Sequence, residues 1–281
     1  MRTLKAPSML SSDRPLPPLL QKIEALGRVT TKWIDALGFG TSLLYQSVFW
    51  ICWGGRRKQQ VRLGPIVSQM MEVGILALPI ISLVSITIGL MLAIQGIDAL
   101  KDFGAEHQVT FGVALSVVRE FAPLITGILV AGRSGSAFAA RLSTMMINNE
   151  VDALRVMGIN PVRFLVVPGL VAMTIMVPSL TLWADIVALL GAGLYITTDL
   201  GISTATYVTQ TVTYLGTKDV LHGLGKSLVF GVLITLVGVV NGSSVSGGAE
   251  GVGQVTTRAV VHSILAIILA DLIIVFMLTR S

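Results

Sequence analysis

Apolar residues gather into five long runs, at about 73–95, 111–130, 164–190, 224–240 and 260–278. A run of about twenty apolar residues matches the thickness of a bilayer core, so each run predicts a membrane-spanning helix. The stretch 23–53 ahead of them has a different pattern. Ile23, Leu26, Ile34 and Leu37 fall near helical spacing, with Lys22, Glu24, Arg28, Lys32 and Asp35 between them. This is an amphipathic helix suited to lie in the membrane interface, although the same stripe would also suit packing on a cytoplasmic partner. Three of the four tryptophans, Trp33, Trp50 and Trp53, lie here, in keeping with the preference of indole for the headgroup level. The pattern defines an all-α integral membrane protein. An N-terminal cytoplasmic or interfacial segment covers 1–62 and a transmembrane domain covers 63–281.

The connections between the runs set the orientation. Ten of the twenty Lys and Arg residues (Arg2, Lys5, Arg14, Lys22, Arg28, Lys32, Arg56, Arg57, Lys58 and Arg62) precede the first run, which assigns the N-terminus to the cytoplasm. The connection with Asp98, Lys101, Asp102 and Glu106 is net acidic, whereas the one with Arg133, Arg141, Arg155 and Arg163 is basic. The first is expected outside and the second inside. Five spans then leave Arg280 and Ser281 on the outer side. Gly127, Ala131, Gly135 and Ala139 form a ladder of small residues that lets helix backbones approach closely. Pro79, Pro123, Pro168 and Pro178 lie in or near the spans, and Gly and Ser in 241–253 predict a turn between the last two. Residues 1–18 lack the apolar core of a cleaved signal peptide, so none is expected.

Composition narrows the chemistry. Apolar residues make up 53% of the chain and charged ones 12%, about half the charged share of an average soluble domain. The net charge of +5 follows the topology and carries no aromatic interleaving of the kind that nucleic-acid binding uses. Cys52 is the sole cysteine, and with His107, His222 and His262 it forms no zinc-type spacing, so neither a disulfide nor a metal staple is expected. Gly225-Lys226-Ser227 resembles the end of a phosphate-binding loop, but the glycine required earlier in that motif is Val220. Gly247, Gly248, Gly251 and Gly253 lack the βαβ frame of a dinucleotide loop.

Ionisable residues within spans are the informative ones, because an unpaired charge near the bilayer centre costs several kcal/mol and therefore faces a partner or a cavity. Arg119 and Glu120 fall in the second run, Asp185 in the third, Lys226 at the start of the fourth, and Arg258 and Asp271 before and within the fifth. Each suits either a substrate pathway or a buried pair that fixes helix register, and Lys226 and Arg258 could also snorkel to headgroups. Between the second and third spans, Asn148-Asn149-Glu150-Val151-Asp152-Ala153-Leu154-Arg155-Val156-Met157-Gly158-Ile159-Asn160-Pro161 predicts a short cytoplasmic helix. Asn caps it, acidic residues fill its first turn, and Gly158 with Pro161 ends it.

Several blocks in order carry a resemblance: Arg119-Glu120-Phe121-Ala122-Pro123, then Ala131 to Ala137, then Glu150 to Pro161, then Thr256-Thr257-Arg258-Ala259-Val260-Val261-His262-Ser263. From about Val61 onward the chain resembles the MlaE/YrbE permeases associated with MCE proteins, whose coupling segment reads E-x-I-D-A-L-x-x-M-G-x-x-P. Asn149 stands at the first acidic position of that segment, leaving Glu150 and Asp152 as its acids. The resemblance implies a non-catalytic permease that works as a homodimer. Two ATPase subunits would bind it on the cytoplasmic face and a periplasmic MCE-domain lipid-binding assembly on the other, with ATP held by the partner and no cofactor of its own. The expected cargo is phospholipid exchanged between the inner membrane and the carrier, in support of outer-membrane asymmetry. Sterols or other terpenoids form the alternative cargo. The family's functional charges fall on Arg119, Glu120, Lys226, Arg258 and Asp271, and Lys226 and Arg258 are expected to hold a lipid phosphate near an interface. Its coupling segment falls on Asn149, Glu150, Asp152, Ala153, Leu154, Met157, Gly158 and Pro161, with Leu154 as the apolar contact to the ATPase. Against a lipid-acting enzyme, no nucleophile, base and orienter set is present. A stand-alone secondary transporter would lack a co-purifying ATPase.

Overall fold

A computed structural model describes residues 18–53 and 63–280. The basic residues Arg2, Lys5, Arg14, Arg56, Arg57, Lys58 and Arg62 lie outside the described residues, as do Ser281 and the side chains of Lys22, Arg28, Lys32 and Trp33. All regular structure among the described residues is helical: α1 (Pro18–Trp53), α2 (Leu63–Val73), α3 (Leu78–Lys101), α4 (Val109–Ser116), α5 (Ala122–Val130), α6 (Ser136–Ile147), α7 (Glu150–Val156), α8 (Val167–Asp199), α9 (Thr204–Tyr214), α10 (Thr217–Ser243) and α11 (Gly248–Arg280).

Five stretches are long and apolar enough to cross a membrane: Leu63–Lys101, Glu106–Ile147, Val162–Asp199, Thr217–Ser243 and Gly248–Leu278. They coincide with the five apolar runs and extend beyond each of them, because the polar ends of the helices continue past the hydrocarbon-compatible residues. α1 is a single helix of 36 residues and is not among the five. The turn expected over 241–253 is shorter than the Gly and Ser content suggests. Asn241 to Ser243 complete α10, and Gly248 already begins α11. Gly247 and Gly248 turn the chain with φ of 88° and 70°, a region that glycine enters without a Cβ penalty.

Three wide π-turns interrupt the spans, at Val117–Phe121, Ala131–Gly135 and Val162–Val166. Two have a visible cause. Pro123 and Pro168 follow them by two residues, and a proline ring both removes one N–H and crowds the carbonyl four residues back. Those carbonyls belong to Arg119 and Phe164, inside the two π-turns, where the wider turn absorbs the misfit. Pro79 acts one turn after the Gly74 break that separates α2 from α3.

The central helix is α8, which packs most extensively on α3 and α10. Its contacts are close because glycines line them. A Cβ on Gly191 would sit 2.5 Å from the Ile86 carbonyl oxygen, and one on Gly231 would sit 2.7 Å from that of Met173. The small-residue ladder behaves as the spacing predicts. Ala131 and Ala139 are fully buried, and Cβ atoms on Gly127 and Gly135 would meet Phe230 and Ile234 of α10 at 3.1 and 2.8 Å. At the end of the bundle that carries α7, the Ser143 hydroxyl donates to the Gly242 carbonyl (3.1 Å), joining α6 to α10. There Glu72 of α2 also binds Arg141 of α6 (3.0 Å), and Arg133 donates to the Glu72 carbonyl (3.1 Å).

Candidate functional site

Four of the six ionisable residues that the sequence singles out within the spans come together. The π-turn at Val117–Phe121 places Arg119 and Glu120 against α10. The Arg119 guanidinium holds Asp219, with Nε donating to Oδ1 at 2.6 Å and Nη2 also paired with that oxygen. One α-helical double turn further along α10, the Lys226 ammonium donates to Glu120 Oε2 at 2.5 Å and lies 3.0 Å from Asp271 Oδ1 of α11. The Asp271 contact is ionic without the alignment of a hydrogen bond. Lys226 thus ties three spans together from a site only 2% exposed.

Asp219 has a second task. Its Oδ2 accepts the Gly216 backbone N–H at 2.8 Å, which closes the first turn of α10. This residue lies outside the apolar run that predicts the fourth span, and sequence reasoning passes over it. The available signal is spacing: Asp219 and Lys226 are seven residues apart, two turns on one helix face.

Lys226 does not occupy the environment expected of a snorkelling cation. Its charge is buried and engaged by two carboxylates. Arg258 stands apart from the cluster. It is exposed on α11, with Nη2 3.4 Å from Gln254 Oε1, thirteen residues before Asp271 and so about 20 Å away along the helix. Asp185 is buried in α8, and its Oδ1 has no hydrogen-bond partner. The assembled cluster holds two cations and three carboxylates, one negative charge in excess, with Glu120 half exposed. Such an arrangement fixes the register of three spans and can offer a carboxylate to a cationic group.

The segment between the second and third spans forms α7, slightly shorter than expected. Its cap differs too. Asn149 adopts a left-handed conformation (φ 56°, ψ 19°) that turns the chain, and its side chain caps nothing. Asn148 Nδ2 instead donates to Glu150 Oε1 at 3.1 Å. Gly158 (φ 74°) ends the helix as predicted, with Ile159 N–H donating to the Leu154 carbonyl at 2.9 Å. Pro161 directly precedes the third span. Leu154, expected to face the ATPase, is 8% exposed and points into its own chain, as does Val151. The outward apolar residues are Val156 and Met157, at 90% and 65% exposure. Glu150 and Asp152 are exposed, with Asp152 pairing Arg155 at 2.8 Å.

A bundle of five helical stretches able to cross a membrane, with charges paired between them and a short helix joining two of them, is the architecture of a multi-pass membrane protein. Residues 66–277 match the family model "Permease MlaE", and the chain belongs to that family. It is similar to a Rickettsia prowazekii protein named "Probable ABC transporter permease protein", 32% identical over 91% of this chain and 97% of the relative. It is 31% identical to the "Intermembrane phospholipid transport system permease protein MlaE" of Haemophilus influenzae, over 90% and 95% of the two chains. A third relative is the chloroplastic protein TRIGALACTOSYLDIACYLGLYCEROL 1 of Arabidopsis thaliana, 35% identical over 74% of this chain and 59% of its own. The chain is therefore a multi-pass inner-membrane permease subunit and not itself an enzyme.

Proposed function

We propose that this chain is the transmembrane subunit of a phospholipid ABC transporter. In this reading two copies form the permease, two cytoplasmic ATPase subunits drive it, and a periplasmic MCE-domain protein exchanges lipid with it to maintain outer-membrane asymmetry. The observation that carries the proposal is the likeness to a phospholipid transport permease along nearly its full length. The physical features agree with it. α11 exposes Leu265, Ile268, Leu269 and Leu272, an apolar face that a second copy and acyl chains can share. The Glu120–Lys226–Asp271 cluster puts charge inside an otherwise apolar bundle, as a substrate with a polar head and long tails requires. α7 offers Val156 and Met157 to a cytoplasmic partner. ATP-driven docking would then shift the population of bundle states. The N-terminus is assigned to the cytoplasm and the C-terminus to the periplasm.

Purification in mild detergent, with mass spectrometry of accompanying proteins and lipids, tests this reading. An ATPase, an MCE-domain protein and phospholipid are expected together. Recovery of sterol or another terpenoid in place of phospholipid would reassign the cargo, and a permease that never retains an ATPase would sink the proposal.

A further inference from the structure

At the α7 end of the bundle, away from the charged cluster, lies an open cavity of about 470 Å³. Gln46 of α1, Arg155 of α7 and Asn160 supply its polar side, and Ile159, Pro161 and Val162 its apolar side. Local geometry creates the space. The chain reverses at Gly158, and Asn160 Oδ1 accepts the N–H groups of Val162 and Arg163 at 2.9 and 3.3 Å to start the next span. One residue beyond the cavity, the Arg163 guanidinium lies over the Trp50 indole of α1, 5.5 Å from the ring centroid. Phe49 stacks on Trp53 beside it.

These observations specify a ligand class. The third spanning stretch begins at Val162, so the cavity lies at the polar end of a spanning helix, and the neighbouring Trp50 and Arg163 are residue types that settle at the headgroup level. Arg155 uses one of its five N–H donors on Asp152, and a guanidinium with one carboxylate partner retains donors for a second anion. An apolar floor under arginine donors suits an amphiphile with a phosphate at its head. We propose that this cavity binds the phosphate of an anionic glycerophospholipid from the leaflet on the α7 side. The site is distinct from the charged cluster. Lys226 lies seventeen residues before the end of α10, about 25 Å along the helix from this end of the bundle. The bound lipid would brace α1 against the turn after α7. Binding there requires only that the chain is embedded in a membrane, whatever its cargo.

The test uses delipidated full-length protein in detergent and reads lipid retention by native mass spectrometry, together with melting temperature. Phosphatidylglycerol is expected to bind and to raise the melting temperature, whereas diacylglycerol and inorganic phosphate are not. Arg155→Gln should weaken phosphatidylglycerol binding about tenfold, as losing one charge-assisted contact would. Arg141→Gln, which removes an arginine at the same end but outside the cavity, should bind as the parent does. Arg155 is exposed, so its variant is expected to fold as the parent does. Equal phosphatidylglycerol binding by the parent and Arg155→Gln overturns the proposal. Stabilisation by inorganic phosphate alone would assign the cavity to soluble phosphates and overturn the lipid. Unchanged lipid binding with loss of a co-purifying ATPase would make the cavity a protein contact and likewise overturn the lipid.

Discussion

Lys226 carries its ammonium into a helix face whose other buried members include Gly223, Ser227 and Phe230. A lone cation there would cost several kcal/mol, and Glu120 and Asp271 offset that cost. Removing one partner of a buried ion pair destabilises by about 3–5 kcal/mol, whereas replacing all members with neutral groups is often close to neutral. Lys226→Met is therefore expected to lose about 3 kcal/mol, the lower end because Glu120 is half exposed. The triple variant Glu120→Gln/Lys226→Met/Asp271→Asn should recover most of that loss. Thermal melts in detergent check the stabilities, and a lipid-transport assay on the triple variant separates roles: a stable but inactive protein assigns the charges to transport, and a stable active one confines them to register. The sequence made these residues visible because intramembrane charge is costly wherever it falls. It left the partners open, since Arg119 and Glu120 are adjacent in the chain yet bind Asp219 and Lys226, a choice set by the π-turn and by how α10 lies against it. Apolar periodicity contains neither fact.

Helix contacts in this bundle are decided by glycine, and α10 offers an internal comparison. A Cβ on Gly231 would come within 2.7 Å of a backbone oxygen of α8, which cannot rotate away, while Gly225 on the same helix has open space around it. Gly231→Ala should destabilise by about 1–3 kcal/mol through overpacking. Gly225→Ala should be neutral or gain about 0.5–1 kcal/mol, because alanine loses less backbone freedom in a helix. Melting temperatures of the two variants provide the check, and equal shifts would mean that α8 and α10 are not in close contact. At this scale the sequence was most legible. Five apolar runs correspond to five spanning stretches, and the ladder from Gly127 to Ala139 faces α10 as its four-residue spacing implies. Helix ends were less legible. Thr217 to Gly223 and Tyr195 to Asp199 are polar or mixed, so hydropathy stops before the helices do. The left-handed Asn149 also escapes a reading that treats asparagine as a side-chain cap.

Across the whole molecule, α7 is placed to pass a displacement at its end of the bundle into several spans at once. Val151 belongs to a buried cluster with Leu43 of α1, Phe138 and Leu142 of α6, Val166 before α8 and Val239 of α10. The inward face of this short helix is thus fastened where four elements meet, while Val156 and Met157 face away from the chain. Alternation of buried and exposed apolar residues within seven positions is too short a pattern to show which face meets a partner, and this is why Leu154 read as the contact. The two faces separate docking from folding. Val156→Asp alters a position that is 90% exposed, where substitutions usually change stability by less than about 0.5 kcal/mol. If the ATPase docks on this face, a charge facing an apolar partner pocket should cost at least about 2 kcal/mol of binding, roughly thirtyfold in affinity. Leu154→Asp instead forces a carboxylate into the permease interior and should lower the yield of folded protein before any partner is added. Membrane level, melting temperature and co-purified ATPase, measured for both variants, distinguish the cases. A Val156→Asp protein that folds, retains its ATPase and transports normally would remove the outer face of α7 from the coupling path, leaving the inward face with a purely structural role.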